Sequence, residues 1–315
     1  MKPPQEIAYS NTIGVYVEGN TDATVPKNTF SPTLDRIFRQ KPPQMLYHYT
    51  SPAGLIGIIC NKCVWATNIR HLNDPIEIEF AVDYARFVLE DHLNEKSLKV
   101  EEQELIKAFY TKIGSAFMNT YVFSLSEKGD LLSQWRAYCQ PGGGYAIGFP
   151  SAQLETMASV QEFRLWPCIY GSTASIIVSE MIESFVKCYH KRIKSGIDPI
   201  EARENTARQF AQHLAYFGPA MKQDAFEEEK EWRLVGTIKS DHSQLSFRPG
   251  KNGIIPYFNF LLVDVNNPDL VDENGQGVRV VSGPGIDQFP LQQFLAKKLP
   301  SASRSSSRAH YRWKK

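Results

Sequence analysis

"AFEEEKEWRLV", residues 225–235, decides how this chain is read. Acids crowd its first half, and Trp232, Leu234 and Val235 follow. Side chains of a strand alternate between its two faces. A strand here would set Glu229, Glu231 and Arg233 on one side and Lys230, Trp232 and Leu234 on the other. The stretch before it, about residues 172–222, has helical periodicity instead, broken by "SGIDPIEARE" with the helix-start signature Asp198, Pro199, Glu201. Strands therefore resume after a long helical insertion. They continue at "GIIPYFNFLLVDV" and "VRVVSG", and a helix over about 287–298 follows.

Reading backwards gives the same alternation of blocks. Residues 121–127 ("YVFSLSE"), 144–149 ("GYAIGF") and about 162–170 read as strands, with one helical turn inside "GDLLSQWRAYCQPGG". Helices are expected after "HLNDPIEIEF", where Asp74, Pro75 and Glu77 form a capping signature and Ile76, Phe80, Tyr84 and Val88 a stripe. Another covers about 101–118, with Leu105, Phe109, Ile113 and Phe117 four apart. Met45–Tyr49 and Val64–Thr67 are two more short strands. Strands on both sides of a helical insertion, without regular strand–helix alternation, predict an α+β fold with mixed, mainly antiparallel sheets. The expected layout is an extended or partly disordered arm at 1–40, one α+β domain at 41–300 with its helical insertion at about 172–222, and a basic tail at 301–315.

Composition narrows the function classes. A net charge of +1 over 315 residues gives no whole-surface field, so attraction to nucleic acid or membrane must be local. The one local basic run is "SASRSSSRAHYRWKK", a solvated tail by default, where Arg312 with Tyr311 and Trp313 suits a polyanion as the sharper alternative. No apolar run reaches the ~18 residues of a membrane helix, and the start, Met1 to Asn20, is too polar for a secretory leader. Five cysteines give no even disulfide framework, and together these features predict a cytoplasmic protein without membrane partners. Cys60-x-x-Cys63 lacks the second ligand pair that tetrahedral zinc requires. Phosphate-loop, dinucleotide, nucleophile-elbow and zinc-protease signatures are all missing.

Three groups of residues remain as candidates for chemistry. His48 stands between two tyrosines in "LYHYTSPAGLIGII" (46–59), as core filler or as a polar hook on a cleft. Glu229 and Glu231 with Arg233 are either a solvated edge or a cleft wall, since buried carboxylates need partners. Trp135, Arg136 and Tyr138 in "SQWRAYC" offer flat faces and a phosphate-binding guanidinium, although large aromatics are usually core.

Several motifs occur together: "LYHYTS…GII", "W-x-T…LNDPIE", "FSLSE…LSQWRAY…G-x-A-I-G-F", "F-x-x-E-x-E-W-R", "IPY" and "VVSGPG". In this order, from about Tyr47 to Gly285, the chain resembles the bacterial domain of unknown function 2971 family. That family looks like a distant branch of the ADP-ribosyltransferase fold, with sheets around a cleft. The resemblance implies NAD as substrate and a macromolecular acceptor (protein, RNA or DNA). It implies His48 on the nicotinamide-side ribose and Glu229 or Glu231 on the ribose 2'-hydroxyl. The stacking aromatic is one of Tyr49, Tyr121, Trp135, Tyr138 or Tyr145, with Trp135 and Tyr138 preferred. Thr50, Ser124, Arg136 and Arg233 complete the expected NAD site. The activity so implied is ADP-ribosyl transfer by a toxin or phage-defence effector, which implies in turn a neutralising antitoxin. The alternative is a non-catalytic nucleotide or nucleic-acid sensor on the same fold. A metal-dependent hydrolytic toxin ranks last, because no metal-ligand spacing supports it.

Overall fold

The computed structural model describes residues 31–72, 76–94, 97–113, 117, 119–139, 143–251, 253–262 and 277–309, with side chains of 76–80 left aside. The chain is α+β. Its helices are α1 (Pro32–Phe38), α2 (Pro52–Asn61), α3 (Ile76–Leu93), α4 (Val100–Lys112), α5 (Leu132–Tyr138), α6 (Ser151–Val160), α7 (Gly171–Lys194), α8 (Pro199–Phe217) and α9 (Gln288–Lys298). Its strands are β1 (Met45–Thr50), β2 (Cys63–Asn68), β3 (Thr120–Ser126), β4 (Tyr145–Pro150), β5 (Phe163–Pro167), β6 (Ile169–Tyr170), β7 (Met221–Lys222), β8 (Glu231–Thr237), β9 (Leu245–Gly250), β10 (Gly253–Leu261), β11 (Arg279–Ser282) and β12 (Ser303–Ser306). No described helix is long and apolar enough to cross a membrane.

Two compact units emerge. One is drawn from Met1–Ile37, Val82–Ala116 and Ser172–Phe217, the other from Phe38–Ala81, Phe117–Gly171 and Gly218–Lys315. The first is helical and centred on three rings: Phe109 stacks on Phe210 at 4.2 Å, and Phe185 meets Phe210 edge-on at 5.5 Å. Its α8 starts as the sequence predicts, because Asp198 Oδ1 accepts from the amides of Ile200 (2.9 Å) and Glu201 (3.1 Å). The Glu180 carboxylate on α7 accepts from Thr33, both from its amide (3.2 Å) and its hydroxyl (2.9 Å), which fastens the start of α1.

The second unit is a ten-stranded sheet in the order β12-β11-β4-β1-β3-β2-β10-β9, with β8 also on β3 and β5 on β8. All its pairings are antiparallel except β11 with β12, and β6 and β7 form a separate parallel pair. Local signals set the strand entries. Ser51 caps α2 by accepting from Gly54 N, Pro52 opens it, and Lys62, left-handed at φ 51°, turns the chain into β2.

Strand alternation gives the sheet two faces around β3. Registers place Tyr47 opposite Ser126 and Ser126 opposite Glu231, while Ser124 lies opposite Arg233. These side chains share one face. Leu46, Phe123, Leu125, Trp232 and Leu234 share the other and belong to the main apolar core. His48 falls on that core face, 4.3 Å from the Phe123 ring.

One edge of β3 is forked. The Glu127 amide donates to the Lys230 carbonyl at 3.0 Å, so odd positions of this strand direct their backbone groups at β8. Even positions face the opposite edge. There β1 takes Ser126 and β2 takes Val122, each then leaving to pair with β4 or β10. Ser124 lies between the two departing strands.

The structure corrects several sequence expectations. Glu229 is outside β8: it ends a 3-10 helix over Asp224–Glu229, and Lys230 (φ 45°) turns the chain into the strand. The supposed tail contains β12, whose Ser and Arg side chains are exposed and whose place comes from backbone pairing with β11. Within the supposed arm, 32–38 is helical. Helix α6 and edge strand β9 were not expected. The capping signature at Asp74 and Pro75, residues 1–30, and Tyr311, Arg312 and Trp313 lie outside the described residues.

Candidate functional site

The acidic pair sits in a neutral ion cluster. Lys222 Nζ on β7 donates to Glu229 Oε2 at 2.6 Å and to Glu231 Oε2 at 2.5 Å. Arg233 binds Glu231 twice, from Nε at 2.6 Å and from a terminal nitrogen at 3.2 Å. Its other terminal nitrogen donates to the Pro219 carbonyl at 2.7 Å. Tyr170 Oη accepts from the Glu231 amide at 3.0 Å. Lys222, Glu231 and Arg233 are all buried. Burial by itself would raise the Glu231 pKa, but the Arg233 and Lys222 charges and their hydrogen bonds hold it well below the usual carboxylate range. Burial would likewise lower Lys222, and the Glu231 charge, with bonds to both acids, holds it above the ordinary lysine value. Two cations thus match two anions, and both carboxylates find their partners within the protein.

His48 plays a different part on the opposite face. Its Nδ1 lies 3.0 Å from the Ser124 carbonyl, which can only accept, so this nitrogen carries the proton of a neutral imidazole. The ring fills the fork and satisfies a backbone carbonyl there. Part of it stays open to solvent, but the dense surroundings pull its pKa from 6.5 to about 4, with the Ser124 bond opposing that fall. His48 and Glu231 are therefore two strands apart with side chains on opposite faces. They do not line one pocket.

The expected stacking residues are also dispersed. Trp135 is fully buried, 4.7 Å edge-on from Tyr49, and its Nε1 donates to Asp130 Oδ1 at 2.8 Å. Asp130 also accepts from Ser307 Oγ (2.5 Å) and Arg308 N (2.7 Å), so Trp135 helps to hold the chain beyond β12. Tyr49 is buried; its hydroxyl donates to the Lys128 carbonyl (2.8 Å) and accepts from Leu131 N (2.9 Å). Arg136 and Tyr138 are exposed on α5, and Tyr145, opposite Thr50, is buried in β4. The structure brings together Glu229, Glu231 and Arg233, and separately His48 with Ser124.

Sequence reasoning passed over a groove of about 550 Å³ at the end of β2 and β3. Asn68, Arg70, His71, Asn119, Tyr121 and Phe247 are among its lining residues. Tyr121 is two residues along β3 from Phe123, so it shares the face of His48. The 3-10 turn Ile69–His71, whose amide at Arg70 donates to Asn68 Oδ1 at 3.1 Å, carries the basic side chains to this place. The only available signal was "NIRH" directly after a strand, which is too short to stand out.

No curated protein and no solved structure matches the chain. Residues 134–234 match the model of a family described as Protein of unknown function (DUF2971). That stretch holds Trp135, Glu229, Glu231 and Arg233, leaves His48 out, and supports the family resemblance without attaching an activity to it.

Proposed function

We propose that this chain binds a nucleotide such as NAD in the groove at the end of β2 and β3, as a sensor-like module. The groove itself carries the reading. Its volume of about 550 Å³ suits a dinucleotide-sized ligand. Arg70 and His71 suit phosphate, Phe247 offers a flat exposed face, and Asn68 and Asn119 provide polar edges. Motif resemblance to the ADP-ribosyltransferase-like branch is what selects NAD among nucleotides.

ADP-ribosyl transfer to a macromolecular acceptor is the second reading, and one observation favours it. Glu231 heads β8, directly opposite Ser126 and, one strand further, Tyr47, so an acid meets the first strand in a single row. A carboxylate there would stabilise the cationic sugar of a breaking N-glycosidic bond. Lys222 now holds that carboxylate, so binding without turnover is expected.

The experiment adds NAD to the pure protein while following melting temperature and free nicotinamide. Saturation at 100 Kd stabilises by ~2.7 kcal/mol. The expected result is a rise that Arg70→Gln reduces, with no nicotinamide released. Nicotinamide release abolished by Glu231→Gln would move the assignment to a transferase. Unchanged melting with NAD, ADP-ribose and AMP alike would remove the nucleotide reading.

A further inference from the structure

A second surface, on the other face of the same strands, is unrelated to the groove. Trp65 on β2 is 48% exposed, a large ring left in water on a regular strand. It lies 4.6 Å from the Tyr257 ring of β10, and the Arg248 guanidinium of β9 sits 5.8 Å above the Trp65 ring. Registers set Thr67 opposite Tyr257, with Arg248 two positions along the same face, so the three strands present one continuous ladder. Arg248 reaches Thr67 Oγ1 at 3.4 Å, its Nε has no hydrogen-bond partner, and no described carboxylate pairs with it. Sequence explains the charge: Cys63–Asn68 and Leu245–Leu261 contain Arg248 and Lys251 and no Asp or Glu, and Lys62 precedes β2.

We propose that the open face of β2, β10 and β9 binds single-stranded nucleic acid, with bases stacked on Trp65 and Tyr257 and phosphate held by Arg248. The chemistry selects this ligand. The exposed Trp65 ring beside Tyr257 offers a platform along which a strand of linked bases gathers affinity. Any base has a flat face for an indole, and Arg fits both the ring and a phosphate. A ladder that carries the Arg248 cation, in strands without an acid, matches a polyanion and opposes a basic partner. The two tyrosine and tryptophan rings already lie in contact, so little ordering of the platform is needed.

Fluorescence polarisation of labelled single-stranded oligonucleotides of DNA and RNA, twenty residues long, tests this on the whole chain, with Trp65→Leu and Arg248→Gln as variants. Both positions are outside the apolar core, so folding is checked by circular dichroism and is expected to persist. Wild-type binding should exceed that of the matching duplex and weaken steeply between 50 and 200 mM salt. Trp65→Leu should weaken it about ten- to hundredfold. Arg248→Gln should weaken it and flatten its salt dependence. Absence of binding at 50 mM salt overturns the proposal, and so does binding that neither variant alters, since the ligand would then sit elsewhere, for instance on the chain after Ala309. Self-association abolished by Trp65→Leu, without oligonucleotide binding, also overturns it in favour of a copy of this chain as occupant.

Discussion

Removing the Lys222 ammonium tests the electrostatic account of the cluster. In Lys222→Met, Glu229 and Glu231 keep their charges, Arg233 alone opposes them, and a buried net negative charge remains. Uncompensated buried charge of this kind costs about 3–5 kcal/mol. Urea denaturation followed by circular dichroism at pH 7.5 would read that loss. The sign with pH follows from protonation. In the wild type, Glu231 has a depressed folded pKa, so its contribution is present above the unfolded value and is lost as pH falls. In the variant a net negative charge is left in the cluster, and protonation at low pH relieves it. The gap between the two proteins should therefore narrow from pH 8 towards pH 5. Lys222→Met combined with Glu229→Gln pairs Arg233 with Glu231 again and should recover at least about half of the loss, because contacting charges are not additive. A deficit below about 1 kcal/mol, or one that is constant across pH, would refute the description of the cluster as a matched set of charges, with Lys222, Glu231 and Arg233 buried and Glu229 partly so.

Acid should act through His48. Its folded pKa of about 4 lies below the unfolded 6.5, so the neutral ring's contribution is full above pH 6.5 and is lost as pH falls towards 4. The loss reaches up to about 3 kcal/mol, less a discount for the partly open ring. His48→Gln should flatten stability over this window, as measured by urea midpoints at pH 7 and pH 4.5. Trp135→Phe deletes the 2.8 Å bond to Asp130 and should cost about 1–3 kcal/mol. Hydrogen exchange should show lost protection at Arg308, whose amide the same carboxylate holds. Gly171 has φ +44° and a Cβ there would overlap the Asp224 carboxylate, whereas at Gly196, φ +89°, nothing lies within 4 Å. Gly171→Ala and Gly196→Ala should therefore both lower melting temperature through the left-handed backbone cost of about 1–2 kcal/mol, and any further loss at Gly171 measures the cost of moving the exposed Asp224 side chain aside.

The fold class was readable because its evidence is periodic. Apolar residues in "GYAIGF" and "EWRLVGTI" mark strands, and Asp198–Pro199 marks a helix start, since each answers to local backbone chemistry. Elements that depend on remote backbone pairing left no such mark. Ser303–Ser306 has four exposed side chains and is a strand because β11 supplies its hydrogen-bond partners. Likewise β9 carries Pro249 and alternates only weakly, being the outermost strand of the sheet.

For the candidate residues, sequence shows which strands carry them but not which faces they take. "YHYT" and "EKEWR" stand on β1 and at the start of β8, and β1, β3 and β8 are neighbours. Yet period two makes a one-residue offset decisive. Tyr47, rather than His48, aligns with Ser126 and Glu231, so the imidazole turns to the core face and the acids turn to Lys222. Register across three strands depends on where β1 and β2 leave β3, and nothing within either motif encodes that. The partner of the two acids was hidden for a related reason. Lys222 lies seven residues before Glu229, on the short strand β7 and beyond an intervening 3-10 helix, so "MKQDAFEEE" gives no hint that one ammonium closes on both acids. Any chemistry at Glu231 must first separate that contact, which makes Lys222 the residue on which the sensor and transferase readings divide.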